Sequence, residues 1–256
     1  MPNRTDLRVL LAAYETPGIA AAQRLFAEGV TPDRIRLLTH PLDERNEPLI
    51  AFAWAHHIET TYHPAKSAEA LAWARAFAPD VIFALHYMEK IPQRLLTLAP
   101  LGGVNMHPAP LPFYRGCFST PWAIFNGETE TGFTYHYMTD EFDAGDVVLQ
   151  RRLPIAPHDT HFTLFHKLML AGCNAFPEVL RLVVDERFPG IPQEGEGSYY
   201  PKRLPNNGVI DPSWDDAIIE RFIRALDFPP ASAVVLIDGK PTPVRSMAEY
   251  HRLRRP

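Results

Sequence analysis

Leu7-Arg8-Val9-Leu10-Leu11-Ala12-Ala13 runs straight into Tyr14-Glu15-Thr16-Pro17-Gly18. The first seven residues are almost uniformly apolar, as a strand buried on both faces must be, and the Thr-Pro-Gly that follows breaks the run. Working outward, the sequence predicts a helix over 19–28, a strand over 34–39, a helix over 49–57 and a strand over 58–62. A helix over 67–77 carries Ala70, Trp73 and Phe77 on one side. A strand over 80–85, a short helix over 92–98 and a strand over 103–107 complete the series. Strand and helix in alternation predict a mostly parallel sheet with helices on both faces.

After His107 the pattern changes. Pro108, Pro110 and Pro112 sit in His107-Pro108-Ala109-Pro110-Leu111-Pro112 and forbid both helix and sheet, so a stiff loop is expected. Thr120 and Pro121 read as the cap and first residue of a helix. Two strands follow over 131–139 and 147–155, then a long helix over 160–184. The stretch 189–211 is rich in Pro, Gly and Asn and reads as a boundary. Beyond it lie a helix over 214–226 and a hairpin, 233–237 with 243–246, turning at Asp238-Gly239. The basic C-terminal end (His251, Arg252, Arg254, Arg255) reads as a solvated tail. The fold class expected is α/β: a Rossmann-like, mostly parallel sheet flanked by helices over 1–188, with a small C-terminal α+β subdomain over 189–256.

The chain has 256 residues, 46% of them hydrophobic and 21% charged, which is enough apolar surface for a packed core. A net charge of −5 gives no general attraction for phosphate backbones, which argues against a nucleic-acid partner. No apolar run approaches the roughly 20 residues needed to cross a bilayer. Cys117 and Cys173 are too few for a disulfide framework, so a reducing, cytoplasmic setting is expected.

In parallel α/β sheets, ligands bind beyond the carboxyl ends of the strands. The turn at residues 12–18 is not G-x-G-x-x-G, and no G-x-x-x-x-G-K-[ST] occurs, so dehydrogenase and P-loop readings lose their support. Asn105-Met106-His107-Pro108 ends the fifth strand, and residues two apart on a strand point to one face. Asn105 and His107 are thus aimed together into the crevice. A second polar cluster runs from Met138 to Asp146 and includes Asp143. His158, His161 and His166 lack the glutamate or cysteine partners of a metal site, and no metal is expected. Cys117 has no motif that would activate it as a nucleophile.

Taken in order, Asn105-x-His107-Pro108, Leu111-Pro112-x-Tyr114-Arg115-Gly116, Gly127 to Gly132 and Asp143-Ala144-Gly145 resemble the formyltransferases that use 10-formyltetrahydrofolate. The 36 residues from His107 to Asp143 fit that family. The likeness continues through Tyr199-Tyr200-Pro201-Lys202-Arg203, Gly208 to Asp211 and Ile223 to Asp227, and covers nearly residues 7 to 246. Within the family, the segments from Phe83 to Met88 and from Asn126 to Gly132 look most like the sugar-nucleotide N-formyltransferases. Cys117-Phe118-Ser119 and Asp227 to Ala231 depart from the family's usual residues.

The resemblance implies 10-formyltetrahydrofolate as co-substrate and the primary amine of a GDP-, UDP- or dTDP-linked amino sugar as acceptor. It implies Asn105, His107 and Asp143 as the catalytic set, a folate site near Leu85, Tyr87, Met88, Ile91 and Asp140, and an acceptor site drawing on Tyr14, Arg115, Tyr199, Lys202 and Arg203. It also implies a homodimer, without nucleic-acid or membrane partners, serving cell-surface polysaccharide (lipopolysaccharide) synthesis. The chemistry suits those residues. An amine attacking a formyl carbon builds a tetrahedral oxyanion that needs donors, and the amine must shed a proton. Asn105 is a neutral donor, His107 can donate or shuttle, and either His107 or Asp143 can be the base. A different amine (hydroxyornithine, methionyl-tRNA) or hydrolysis of the same folate are the alternatives.

Overall fold

The computed structural model describes residues 4–228 and 232–254. The elements are β1 (Val9–Ala13), α1 (Glu15–Ala27), β2 (Ile35–Leu38), α2 (Glu47–Ala55), β3 (Glu59–Thr61), α3 (Ala68–Phe77), β4 (Val81–Leu85), α4 (Gln93–Leu96) and β5 (Gly103–His107). Then come β6 (Arg115–Gly116), α5 (Ser119–Phe125), β7 (Glu130–Tyr137), β8 (Val147–Pro154), α6 (His161–Leu180) and β9 (Tyr199–Tyr200). The chain ends with α7 (Asp216–Ala225), β10 (Ala233–Ile237), β11 (Lys240–Val244) and α8 (Met247–Leu253).

Seven strands form one sheet in the order β3-β2-β1-β4-β5-β7-β8, so the strand order reverses between β1 and β4. Neighbouring strands from β3 to β5 pair in parallel, and β7 runs antiparallel to β5. This is the expected mostly parallel α/β sheet flanked by helices. The chain gathers into two compact units that are interleaved in sequence. One holds 1–107, 134–150 and 170–194; the other holds 108–133, 151–169 and 195–256.

In the first unit β1 and β4 are wholly buried, which explains their unbroken apolar sequence. Leu10, Leu38, Ile82, Leu95 and Leu96 share a core cluster. α3 begins where Ser67 accepts a hydrogen bond from the Ala70 amide at 3.0 Å, a cap that contributes on the order of 1 kcal/mol. α1 starts at Glu15 rather than at residue 19. Its Pro17 falls in the first turn, where a missing N–H breaks no helical bond. Gly18 is required inside that turn, because a Cβ there would stand 2.8 Å from both the Ala13 Cβ and a Leu49 methyl.

In the second unit Ile219, Phe222 and Ile223 of α7 pack with Ala233, Val235, Val244 and Tyr250. β10 and β11 pair antiparallel around Asp238-Gly239, both at positive φ, and the second strand ends at Val244, two residues before the expected end. The described basic residues His251, Arg252 and Arg254 are exposed as expected, but the stretch that carries them is not a loose tail. It forms α8, with Tyr250 buried and the His251 Nε2 3.3 Å from an Asp216 oxygen; Arg255 lies outside the described residues. α5 starts at Ser119, behind Phe118 at positive φ, and Thr120 is not its cap. Ser119 instead donates to the Pro108 carbonyl at 3.0 Å. No helix among the described residues is long and apolar enough to cross a membrane.

Asp159 holds the α6 start in this unit. Buried, it accepts from the Ala156 amide at 2.8 Å, the Thr163 hydroxyl at 2.9 Å and Lys167 Nζ at 2.6 Å. Burial alone would raise its carboxyl, but these donors outweigh it and hold the group below its ordinary 3.8. The stability it lends is therefore present above that value and lost as pH falls through the lower folded one. Asp159→Asn is expected to lower unfolding free energy at pH 7 by roughly 1–3 kcal/mol. In denaturant titrations the gap from wild type should close as the pH falls below 3.8; a gap independent of pH would contradict this.

Candidate active site

The site is built on β5 and β7. Their antiparallel register sets Asn105 opposite His136 and His107 opposite Thr134. Directly opposed residues share a face, so one face of this pair carries Asn105, His107, Thr134 and His136. The alternating residues Met106 and Tyr135 turn to the other face. There the Tyr135 hydroxyl donates to the Gly172 carbonyl of α6 at 3.0 Å, and a Cβ on Gly172 would collide with the end of Met106. One face is thus packed against a helix, and the other is left for polar chemistry.

Asp143 enters that polar face from the turn after β7. One carboxylate oxygen lies 3.4 Å from His107 Nδ1 and the other 3.3 Å from His136 Nε2. Asn105 Nδ2 is 3.2 Å from the same His136 Nε2. All but Asn105 are buried, and Asn105 is half-buried. His136 Nδ1 sits 2.9 Å from the Tyr137 carbonyl, which can only accept, so Nδ1 carries a proton. With its proton on Nδ1, the imidazole presents Nε2 as the acceptor for the Asn105 amide, and the Asp143 oxygen lies beside that contact. The cluster therefore holds its carboxylate between two imidazoles.

The loop that carries Asp143 is fixed from outside. Gln193 Nε2 donates one hydrogen to the Asp143 carbonyl and one to the Gly145 carbonyl, each at 2.8 Å. Asp143 itself is at φ +53, a conformation Asp tolerates better than most residues. Gly145 must be glycine, since a Cβ would fall 1.9 Å from the Tyr137 carbonyl oxygen.

The structure brings the expected folate residues together in the first unit. Leu85 ends β4 wholly buried, Ile91 is buried, Tyr87 is partly buried against the core and Met88 is exposed. Lys90 Nζ donates to the Asp140 carbonyl at 2.5 Å and lies 5.5 Å from the Phe142 ring, tying the 86–91 loop to the 140–142 turn. Tyr14 is also in this unit, buried at the β1 end; burial, then its hydrogen bond to Asp43 at 2.8 Å, pushes its hydroxyl up to about 12.

The other expected acceptor residues lie in the second unit. β6 pairs with β9 so that Arg115 faces Tyr199 and Gly116 faces Tyr200, and Arg115 donates to the Glu196 carbonyl at 2.8 Å. Tyr199, Lys202 and Arg203 are exposed. Beside them Tyr200 stacks on Tyr114 at 5.3 Å and on Trp122 at 4.6 Å, and Asn126 donates to both tyrosine hydroxyls. Among the described residues no group of three or more His, Cys, Asp or Glu is arranged to hold a metal ion.

Two site residues escaped the sequence reading. His136 had a signal: Thr134 and His136 share a face of a strand that must pair beside Asn105 and His107. Gln193 had none, because it sits in an irregular Pro- and Gly-rich stretch and acts through backbone carbonyls.

Residues 40–180 match the profile described as Formyl transferase. The chain is 44% identical over 251 residues to the GDP-perosamine N-formyltransferases of Brucella melitensis and Brucella abortus, covering 98% of this chain and 96% of each relative. The chain belongs to the formyl transferase family. Solved structures share the fold. A sugar N-formyltransferase from a Shewanella species superposes with a TM-score of 0.75 at 21% identity, over 93% of this chain and 96% of that one. An N-formyltransferase from Helicobacter canadensis, in complex with folinic acid and dTDP-3-aminofucose, gives 0.74 at 20%, over 87% and 81%.

In a formyl transferase of this geometry, Gln193 matters only through the loop it clamps. Gln193→Leu, which keeps the volume and removes both donors, is expected to lower turnover at saturating substrates roughly tenfold or more, the loss equivalent to about 1.4 kcal/mol of barrier. Steady-state kinetics beside a thermal melt checks it; a rate within twofold of wild type would contradict the clamp.

Proposed function

We propose that this enzyme moves the formyl group of 10-formyltetrahydrofolate onto the primary amine of a nucleotide-linked amino sugar, a GDP-linked sugar foremost. The observation that carries the reading is the buried Asn105–His107–Asp143–His136 cluster. It is supported by 44% identity, across nearly the whole of both chains, to relatives named for GDP-perosamine. The Helicobacter protein's complex with folinic acid and a dTDP-linked amino sugar points to the same pair of substrates.

The proposed chemistry follows from the geometry. The amine nitrogen attacks the formyl carbon, and the carbonyl electrons move to oxygen. Asn105 donates to that oxyanion through its amide. His107, paired through Nδ1 with Asp143, offers Nε2–H to the same centre. Asp143 takes the proton the amine sheds, directly or through a water. The carbon–N10 bond then breaks, its electron pair returns to N10, and the proton that Asp143 took from the amine is passed on to N10, restoring the Asp143 carboxylate and completing tetrahydrofolate. His136 Nε2 accepts from the Asn105 amide and so orients that donor.

The folate is placed along Tyr87, Met88 and the backbone of Asp140, with Leu85 and Ile91 supplying the buried floor. Lys202, Arg203 and Arg115 suit the acceptor's diphosphate, and Tyr199 suits its base. An activated, nucleotide-linked product fits a role in assembling a cell-surface polysaccharide such as lipopolysaccharide. A cytoplasmic homodimer completes the reading, testable by light scattering and fractionation.

Formyl transfer is measured with 10-formyltetrahydrofolate and a panel of GDP-, UDP- and dTDP-linked amino sugars and methionyl-tRNA. Turnover on a GDP-linked amino sugar is expected; efficient tRNA formylation with silence on every sugar would refute the reading. His107→Ala should retain folate binding yet lose about 100-fold or more in turnover, as loss of a preorganised donor does. EDTA should leave the rate unchanged, and inhibition reversed by zinc would overturn the metal-free chemistry.

A further inference from the structure

The loop at the exit of β4 is held in place by a side chain from a different strand. His40 lies two residues beyond β2, and its Nε2 accepts the Met88 amide hydrogen at 3.3 Å. Its ring stacks on the Tyr87 ring, with centroids 4.8 Å apart and planes 20° from parallel. The Tyr14 ring meets it edge-on at 5.3 Å. Because Nε2 accepts, the ring's proton is on Nδ1, which faces a Glu89 oxygen at 3.9 Å. The other Glu89 oxygen accepts from the Ala65 amide at 3.1 Å. One neutral imidazole therefore reaches three consecutive residues, Tyr87, Met88 and Glu89.

His40 is itself anchored. The buried Asn46 amide donates to the His40 carbonyl at 2.7 Å and to the Thr39 hydroxyl at 3.1 Å. Thr39 in turn donates to the Ala13 carbonyl at 2.7 Å. This chain of bonds fixes the β2 exit against the β1 exit, one strand away from the β1–β4 step where the strand order reverses. The loop it supports contains His86 at φ +58, a costly conformation that persists only where its surroundings determine it.

We infer that His40, in its neutral Nδ1–H form, is the positioning residue that shapes the 86–91 loop and thereby sets the enzyme's affinity for its folate co-substrate. The inference rests on the reading of that loop as the folate site. His40 touches no substrate in this account; it acts through the Met88 backbone and the Tyr87 ring.

A pH dependence follows. Protonation would turn Nε2 from acceptor into donor and set it against the Met88 N–H. Burial holds His40 below its ordinary 6.5, against the opposing pull of Glu89 and Asp43. Glu89 and Asp43 are the acidic groups acting on it, and Tyr14 and Tyr87 are the rings that face it. The clasp is thus closed at neutral pH and opens as pH falls through a value below 6.5.

The test is equilibrium binding of 5-formyltetrahydrofolate to full-length wild type, His40→Ala and His40→Gln, at pH 7.5 and in the acid range where the wild type stays folded. Glutamine can accept the Met88 N–H but does not titrate. At pH 7.5 His40→Ala is expected to raise Kd roughly tenfold, with kcat at saturating folate within about threefold of wild type. His40→Gln should recover most of the affinity and lose the acid weakening that the wild type shows. Equal Kd values for wild type and His40→Ala would overturn the inference, as would a glutamine variant no better than alanine. Wild type that fails to bind the folate at all would overturn the site reading itself.

Discussion

The antiparallel pairing of β7 against β5 is the constraint on which the site depends. In that register Asn105 opposes His136 and His107 opposes Thr134, so four polar side chains emerge on one face of the β5–β7 pair. A slip of β7 by one residue would send Tyr135 to that face and turn Thr134 and His136 away from Asn105 and His107. The other face makes such a slip costly. Tyr135 is wholly buried, its hydroxyl is satisfied by the Gly172 carbonyl, and Gly172 leaves only enough room for Met106. Packing on one face thus specifies the geometry of chemistry on the other.

Asp143 is the second half of that arrangement. A buried carboxylate is expensive unless donors meet it, and here His107 Nδ1 lies 3.4 Å from one of its oxygens. The turn that delivers it departs from regular structure, and Gln193 and Gly145 are what make that departure tolerable: one satisfies two carbonyls, the other avoids a collision with the Tyr137 carbonyl. The same logic recurs at the β4 exit, where His86 is in the left-handed region and the neighbouring loop is tied to Asp140 through Lys90. Irregular backbone gathers at the carboxyl ends of the strands, where an α/β sheet presents its ligand site.

The parallel core was legible because burial on both faces writes itself as unbroken apolar runs, as in 9–13 and 81–85. Asn105 and His107 were legible because strand periodicity puts them on one face. The start of α1 was hidden because Thr-Pro-Gly signals a break, whereas proline is harmless in a first helical turn and Gly18 answers a tertiary contact with Ala13 and Leu49. α8 was hidden because the basic residues at and beyond its end (His251, Arg252, Arg254, Arg255) suggest an exposed tail, while Tyr250 supplies its buried anchor. His136 was readable only through the pairing of its strand beside Asn105 and His107, and Gln193 depends on backbone carbonyls distant in sequence, which no local pattern encodes. The interleaving of the two units is likewise a property of the folded chain and not of chain order.

The central claim is that Asp143, held between His107 and His136, is the group that lets an amine take a formyl group from folate. Transfer of isotopically labelled formyl from 10-formyltetrahydrofolate to a GDP-linked amino sugar, compared between wild type and Asp143→Asn with folate affinity measured in parallel, tests it most directly. The account predicts label in the sugar with wild type, and in the variant near-unchanged folate affinity with transfer slower by about 100-fold or more. An Asp143→Asn enzyme transferring label within a few-fold of the wild-type rate would contradict it.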